Sequence, residues 1–420
     1  MGTPEKEGKL DESVFTEGVE TGILGSRAAA MRAFLAGRVI GQPQAVEAIV
    51  RRFTVHHAGL DHPTRPIGAF IFAGPTGVGK SMLAEELARF LIADVPDPPF
   101  TEIQGERYTD DHQVMDLIGA PPSYVGWDQP PLLAQLKIDG PHFWAKITPA
   151  LESGYHGPLD EKSLSALMLK YYRQFHPYYS VILVDELEKA DPKLSEMLLG
   201  MIDKGRLQMS DGAVTHFRNS VIIVTCNVAG DIQQAALAGN RGAVGFGGTR
   251  EDDRLSVDEF ITKRTIEEIK KFWPSAFVGR LRRNIVVFRA LDHDSCRKIL
   301  DARLDELRGR LNAPGGTPIV LQASDGFKDY VLDRADYRGF GARQINDMVE
   351  ELVTEPLADA IESEQLIDGD EALFTLNTEG RPVLKRRPRA PAPQTQAIVP
   401  VEEPDEGTAI PITVGGIKKR

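Results

Sequence analysis

The sequence predicts an α/β protein: a large domain with a parallel sheet flanked by helices, followed by a smaller C-terminal α/β domain. Three observations lead there. Residues 74–81 read Gly-Pro-Thr-Gly-Val-Gly-Lys-Ser, a complete phosphate-binding loop between an apolar run, Pro66–Ala73, and a helical pattern, Met82–Ile92. Phe70–Ala73, Ser180–Val184 and Ser220–Thr225 are unbroken apolar runs rich in β-branched residues, which suits strands covered on both faces. Past residue 283 strand and helix patterns continue in shorter form, as expected of a second, smaller body.

Residues 1–25 are acidic and lack periodicity, and are read as a disordered tail. The large domain is assigned to residues 26–283. It begins with a helical stretch, Arg27–Leu35, leading into Arg38–Val50, and then alternates helices with the three apolar strands. The smaller domain is assigned to residues 284–385. Its first strand is expected at Asn284–Phe288, with a charged amphipathic helix over Asp294–Leu311. A helical stretch over Ala342–Ile361 is expected to break at Pro356, and Glu371–Leu376 is read as the last strand. Residues 386–420 are rich in proline and charge, end Lys-Lys-Arg, and are expected to be disordered.

Composition narrows the function. Of the 420 residues, 42% are hydrophobic and 26% charged, as in an ordinary globular protein. The net charge of −12 argues against a nucleic-acid partner. The only cysteines, Cys226 and Cys296, suit buried thiols in a reducing compartment. The N-terminus is hydrophilic, and no apolar run approaches the roughly 18 residues that a membrane span needs. A soluble, cytoplasmic protein without a membrane partner is expected.

The motifs carry the chemistry. In the phosphate-binding loop, the backbone N–H groups of Thr76, Gly77, Val78 and Gly79 can cradle phosphates. Lys80 reaches the outer ones, and the Ser81 hydroxyl ligates Mg²⁺. The helix after the loop presents its N-terminus, where the backbone dipole favours an anion. Val181–Glu186 is an apolar strand ending in two carboxylates. At this place Asp185 suits support of Mg²⁺, and Glu186 suits polarising an attacking water. ATP and Mg²⁺ are the expected cofactors.

The segments RVIGQPQAVEAIV, AGPTGVGKS, LIGAPPSYVGW, VILVDELEKADP, DKGRLQMSDG, FRNSVIIVTCN and GFGAR, in this order, resemble the C-terminal ATPase module of the Clp-type AAA+ unfoldases. The resemblance runs from about Arg27 to Lys385. It implies that Val39 and Ile40 flank adenine and that Asn227 orients water near the terminal phosphate. It implies that Arg280 is an arginine finger offered to a neighbouring subunit, and that Arg343 is a second sensor in the small domain. Gly279 stands where the family has Asn, and Ser275–Phe277 holds one extra residue, so Arg282 and Arg283 are rivals for the finger.

The resemblance also implies that Tyr124 and Val125 belong to a loop that grips polypeptide in the pore of a homo-oligomeric ring, expected to be a hexamer. Ser123 and Pro130-Pro131 replace glycines usual in that loop. Lys137–His176 is an insertion dense in aromatic residues, suited to contact with substrate or partner and equally to packing on its own domain. Val244-Gly245-Phe246 resembles the tripeptide by which some Clp ATPases dock on a ClpP-like peptidase. The resulting expectation is an ATP-driven unfoldase acting on protein substrates. A nucleic-acid motor and a non-processive ATP-dependent switch are the alternatives.

Overall fold

The computed structural model describes residues 24–91, 100–120, 130–135, 137–139, 179–228, 230, 232–233, 256–337 and 341–388. Two helices come first, α1 (Ser26–Arg38) and α2 (Pro43–His57), followed by β1 (Gly68–Ala73) and α3 (Lys80–Leu91). Then come β2 (Thr101–Gln104), α4 (Asp111–Asp116), β3 (Ser180–Asp185) and α5 (Pro192–Lys204). A hairpin of β4 (Arg206–Gln208) and β5 (Val214–His216) leads into β6 (Ser220–Cys226). Helices α6 (Val257–Phe272) and α7 (Ser275–Leu281) precede β7 (Ile285–Val287).

Strands β2-β3-β6-β1-β7 form one five-stranded parallel sheet. Its central strands β1, β3 and β6 are buried at every position but the last of β3, because both faces are covered, and their alternation divides the core. Phe70, Phe72, Val181, Leu183, Val221 and Ile223 pack on the side of α1, α2 and α3. Ala69, Ile71, Ile182, Val184, Ile222 and Val224 pack on the other side, against α5 and α7. The loops leaving the carboxyl ends of β1, β3 and β6 stand together, at the edge where a parallel sheet presents its ligand site.

The second body contains α8 (His293–Leu311), β8 (Val320–Ala323), α9 (Asp325–Arg334), α10 (Ala342–Val349), α11 (Glu355–Glu362), β9 (Glu371–Leu376) and β10 (Pro382–Arg387). Its sheet has the order β10-β9-β8, with β8 parallel and β10 antiparallel to β9. Its apolar residues join the α1–α3 side of the core through Phe288 and Leu291.

Two expectations need correction. The strand placed at the start of the smaller domain belongs to the large sheet, with Ile71, Phe72 and Ala73 of β1 in register with Ile285, Val286 and Val287. A strand needs a hydrogen-bonding partner, and the open edge of β1 supplies it, so the division between bodies falls after Phe288. The break expected at Pro356 is present: a π-helical turn, Glu350–Thr354, immediately precedes α11, and Pro356 is the second residue of that helix. The C-terminal tail cannot begin at residue 386, because β10 runs through Arg387 and Arg386 Nε ion-pairs with the buried Asp370 Oδ2 at 2.6 Å.

Strand β7 is shorter than β1 and leaves the first half of β1 without a strand neighbour on that side. Side chains fill the gap: Asn284 Nδ2 donates to Ala69 O at 2.9 Å, and Arg52 Nε donates to Ile67 O. Helix α6 lies over β7, with Phe260 and Ile261 against Val287. No described helix is long and apolar enough to cross a membrane.

Phe288 joins the two bodies. Its ring is fully buried, its centroid lies 5.0 Å from that of Phe72, and its N–H donates to Ala73 O at 2.7 Å. Phe288→Ala is expected to cost about 3–5 kcal/mol of stability, read as a lower urea midpoint. An unchanged midpoint would show that the two bodies are held together elsewhere.

Candidate nucleotide site

The phosphate-binding loop connects β1 to α3 and buries Lys80, the first residue of that helix. The Lys80 ammonium donates to Gly74 O at 2.8 Å, Pro75 O at 2.6 Å and Asn227 Oδ1 at 2.8 Å. Burial pushes its pKa down to about 8, and the nearby Glu188, Asp185 and Glu186 only partly restore it. A cation held mainly by backbone carbonyls in a buried position is well prepared to receive an anion.

The end of β3 supplies the acids. Asp185 Oδ1 accepts from the Ser81 hydroxyl at 2.9 Å and from the Thr225 hydroxyl. Glu186, the next residue, has left-handed backbone angles of φ 54° and ψ 49°, a conformation uncommon for a residue with a side chain. Its N–H is held by Thr225 Oγ1 at 2.9 Å. This kink turns its carboxylate toward Asn227 at the end of β6, whose Nδ2 donates to Glu186 Oε1 at 2.7 Å. The Asn227 side chain therefore spans Lys80 on one side and Glu186 on the other.

Two participants escaped the sequence reading. Lys189 lies 2.5 Å from Glu186 Oε2, and this bond, more than the one from Asn227, holds the Glu186 carboxyl below the usual carboxylate range. Glu188 Oε1 accepts the Asn227 backbone N–H at 2.9 Å, while burial raises the Glu188 pKa. The signal was the charge pattern Asp-Glu-Leu-Glu-Lys at residues 185–189, in which a short 3₁₀ turn over Leu187–Lys189 returns the later charges to the site. Cys226, beside Asn227, is fully buried, and burial pushes its thiol up to about 12, which leaves it inert.

Together these groups open into a cavity of about 470 Å³, within the range of small-molecule sites. Val39, Ile40, residues 76–81, Asp185, Glu186, Asn227 and Arg343 all line it. The second body closes one wall with Leu291, Ile299 and Asn346. It is docked by its backbone: Ala342 N donates to Gly77 O at 2.9 Å. Gly341 precedes that contact at φ +64°, and a Cβ there would stand 2.6 Å from the Gly77 carbonyl. Only glycine fits both the angle and the space.

Arg280 does not line this cavity. It lies on α7, half exposed, with its Nε 3.0 Å from Asp203 Oδ1 on α5. Arg282 and Arg283 come next in an exposed 3₁₀ turn. Tyr124, Val125, Val244, Gly245 and Phe246 lie outside the described residues, as does most of the Lys137–His176 insertion.

Comparison with known proteins accords with this geometry. A family model described as the AAA domain (Cdc48 subfamily) matches residues 65–139 and 169–284. A second, the C-terminal D2-small domain of ClpB protein, matches residues 291–374. Residues 140–168 fall between the matched parts, within the stretch read as an insertion. Chaperone protein ClpC2, chloroplastic, of Oryza sativa subsp. japonica is 31% identical over 347 residues, covering 83% of this chain and 32% of the relative. Chaperone protein ClpD, chloroplastic, of Arabidopsis thaliana is 30% identical over 355 residues, covering 84% and 32%. The chain thus spans about a third of the length of these curated relatives. A closed-state cryo-EM reconstruction of Hsp104 with ATPγS and FITC casein shares the fold, with a TM-score of 0.63 and 22% identity, over 90% of this chain and 53% of that one.

Gly341→Ala is expected to push the second body off the Gly77 carbonyl. Nucleotide affinity should fall roughly tenfold, about 1.4 kcal/mol, in a fluorescent-nucleotide titration. Parental affinity in this variant would show that the Ala342–Gly77 contact does not shape the site.

Proposed function

The chain belongs to the Clp-type AAA+ ATPases, and from that premise we propose that it hydrolyses ATP to drive the unfolding of protein substrates threaded through a ring. The observation that carries the ATPase reading is the Asn227 side chain bridging Lys80, at 2.8 Å, and Glu186, at 2.7 Å. It ties the residue that binds phosphate to the residue that activates water. The residues also fit Mg²⁺: the Ser81 hydroxyl and Asp185 carboxylate, 2.9 Å apart, form an oxygen pair beside the phosphate loop. Mg²⁺ bound there would neutralise phosphate charge and fix the phosphate geometry.

Each side chain then has a task. The N–H groups of residues 76–79 and the Lys80 ammonium bind the phosphates in place of the carbonyls and amide that Lys80 now contacts. Glu186 takes a proton from, or polarises, the attacking water, and its low basicity suits a carboxylate that must stay ionised at neutral pH. Asn227 orients both partners. Arg343 brings positive charge from the second body, so hydrolysis would alter how that body sits. At the other end, Ile40 has neither its N–H nor its C=O in a backbone hydrogen bond among the described residues. It offers a neighbouring donor and acceptor to the edge of adenine, with Val39 beside it.

Arg280, outside its own chain's cavity, supports a finger that acts on a neighbour's nucleotide. We therefore propose a homo-oligomeric ring, most simply a hexamer, with Tyr124 and Val125 gripping substrate in the pore. Docking of Val244-Gly245-Phe246 on a ClpP-like peptidase belongs to the same proposal, because six weak anchors on one ring gain affinity together. Two buried free thiols support a reducing compartment, and we propose the cytoplasm.

Two experiments test this. Glu186→Gln should bind ATP with parental affinity yet lose hydrolysis, whereas Tyr124→Ala should keep ATP turnover and lose unfolding of a protein substrate. Parental turnover in Glu186→Gln would overturn the catalytic assignment. ATP turnover stimulated by DNA in place of protein would favour the nucleic-acid motor. Separately, Arg280→Ala and Lys80→Ala should each lose turnover by at least about tenfold, while a mixture of the two recovers part of it, since some interfaces then contain an intact Lys80 and an intact Arg280. Full turnover in Arg280→Ala, with Arg282→Ala or Arg283→Ala inactive, would move the finger.

A further inference from the structure

Glu86 is a buried carboxylate that the proposed chemistry does not use. It lies on α3, one turn past Met82 on the face that lines the cavity, and its side chain is 7% exposed. A lone buried charge is costly, and here it lies between two guanidinium groups. Arg38 Nε stands 3.0 Å from Glu86 Oε2, and Arg89 Nη1 donates to Glu86 Oε1 at 2.9 Å. The Arg38 guanidinium also lies over the Phe34 ring, 3.8 Å from its centre, and Phe34 packs on Phe90. Arg38 is thus fixed on two sides although it is nearly half exposed.

Arg38 matters because of its place in the chain. It is the last residue of α1, and Val39 and Ile40 come next, forming the base end of the cavity. On the far side of that turn, Gly41 takes φ +81°, where a Cβ would press against Ser295 and Leu291. The buried Gln42 side chain then makes a double hydrogen bond to the Arg289 backbone, at 2.9 and 3.0 Å. The Val39-Ile40 turn is therefore suspended between two polar ties. Gln42 holds it to the link between the bodies, and Arg38 with Glu86 holds it to the helix of the phosphate-binding loop.

We infer that Glu86 is a specificity-determining positioning residue: through Arg38 it holds the Val39-Ile40 turn at the distance from α3 that an adenine ring fills. The inference rests on the proposed nucleotide site and adds the residue that sets the base end. Phosphate binding lies a full turn and more away on α3, in the loop and at Lys80, and does not depend on this clamp. Loss of the Glu86 charge frees both arginines, the turn loosens, and the base contributes less to binding. The effect is confined to nucleotides whose base fills the pocket.

The test is competition of ATP and CTP, each with Mg²⁺, against a ribose-labelled fluorescent ATP on the full chain. The smaller pyrimidine ring relies chiefly on phosphate and ribose contacts. The parent protein is expected to bind ATP at least about tenfold more tightly than CTP. In Glu86→Gln that ratio should fall to about threefold or less through loss of ATP affinity, with CTP affinity unchanged. Arg38→Gln, which removes the partner from the solvent side, should do the same, and the double variant should add nothing further.

Retained preference for ATP in both variants would overturn the inference, as would a parent that does not distinguish ATP from CTP. Equal loss of ATP and CTP in both variants would mean that the clamp holds α3 rather than the base wall, which also overturns it. A parent that binds neither nucleotide would instead defeat the nucleotide-site reading itself.

Discussion

The arrangement depends on one buried positive charge. Lys80 has left water almost completely, and its ammonium needs acceptors that the surrounding core cannot offer. The sheet supplies them. Strand β1 ends in the Gly74 and Pro75 carbonyls, and β6 ends in Asn227, while β3 brings Asp185 and Glu186 alongside. The strand order β3-β6-β1 places all three ends side by side, so the topology and the electrostatics of the site are one problem with one solution. An incoming polyphosphate would exchange places with these acceptors and free the Asn227 Oδ1 from Lys80, while its amide N–H remains on Glu186.

The same sheet explains why the second body belongs to the site. Its residues Leu291 and Ile299 form a wall of the cavity, and its core is continuous with that under β1 through Phe288. Its polar attachment is narrow, an N–H from Ala342 to Gly77 at a position that tolerates no side chain. Apolar packing thus holds the body against the cavity, and among the described residues the Ala342–Gly77 contact ties it to the phosphate-binding loop just before Arg343.

Much of this was legible in the residues. The phosphate loop and the three apolar strands have strong local signals, because burial on both faces demands unbroken hydrophobic runs and phosphate binding demands its fixed spacing. Asp185 and Glu186 were singled out because they close such a strand, and Asn227 through the family resemblance. What the sequence concealed depends on pairing across distance. Nothing local in Ile285–Val287 says which sheet it joins, and only the open edge of β1 decides it. β2 (Thr101–Gln104) alternates polar and apolar residues in a run too short to distinguish from a loop. Nothing local in Lys189 says that it turns back to Glu186. Nothing local marks Glu86 as buried, because its cover comes from Arg38, distant in sequence.

The filled edge beside β7 bears on assembly. The carbonyls of Ile67 and Ala69, left over where β7 stops short, already receive Arg52 and Asn284, so a strand from another chain finds no vacant acceptors there. In the proposed ring, subunits that met at this stretch of β1 would do so through side chains and surface shape, not by extending a common sheet. Contacts of that kind can slip, part and re-form without unravelling any backbone ladder. The proposed ring, whose members would move against one another in turn, would have need of seams that yield in this way.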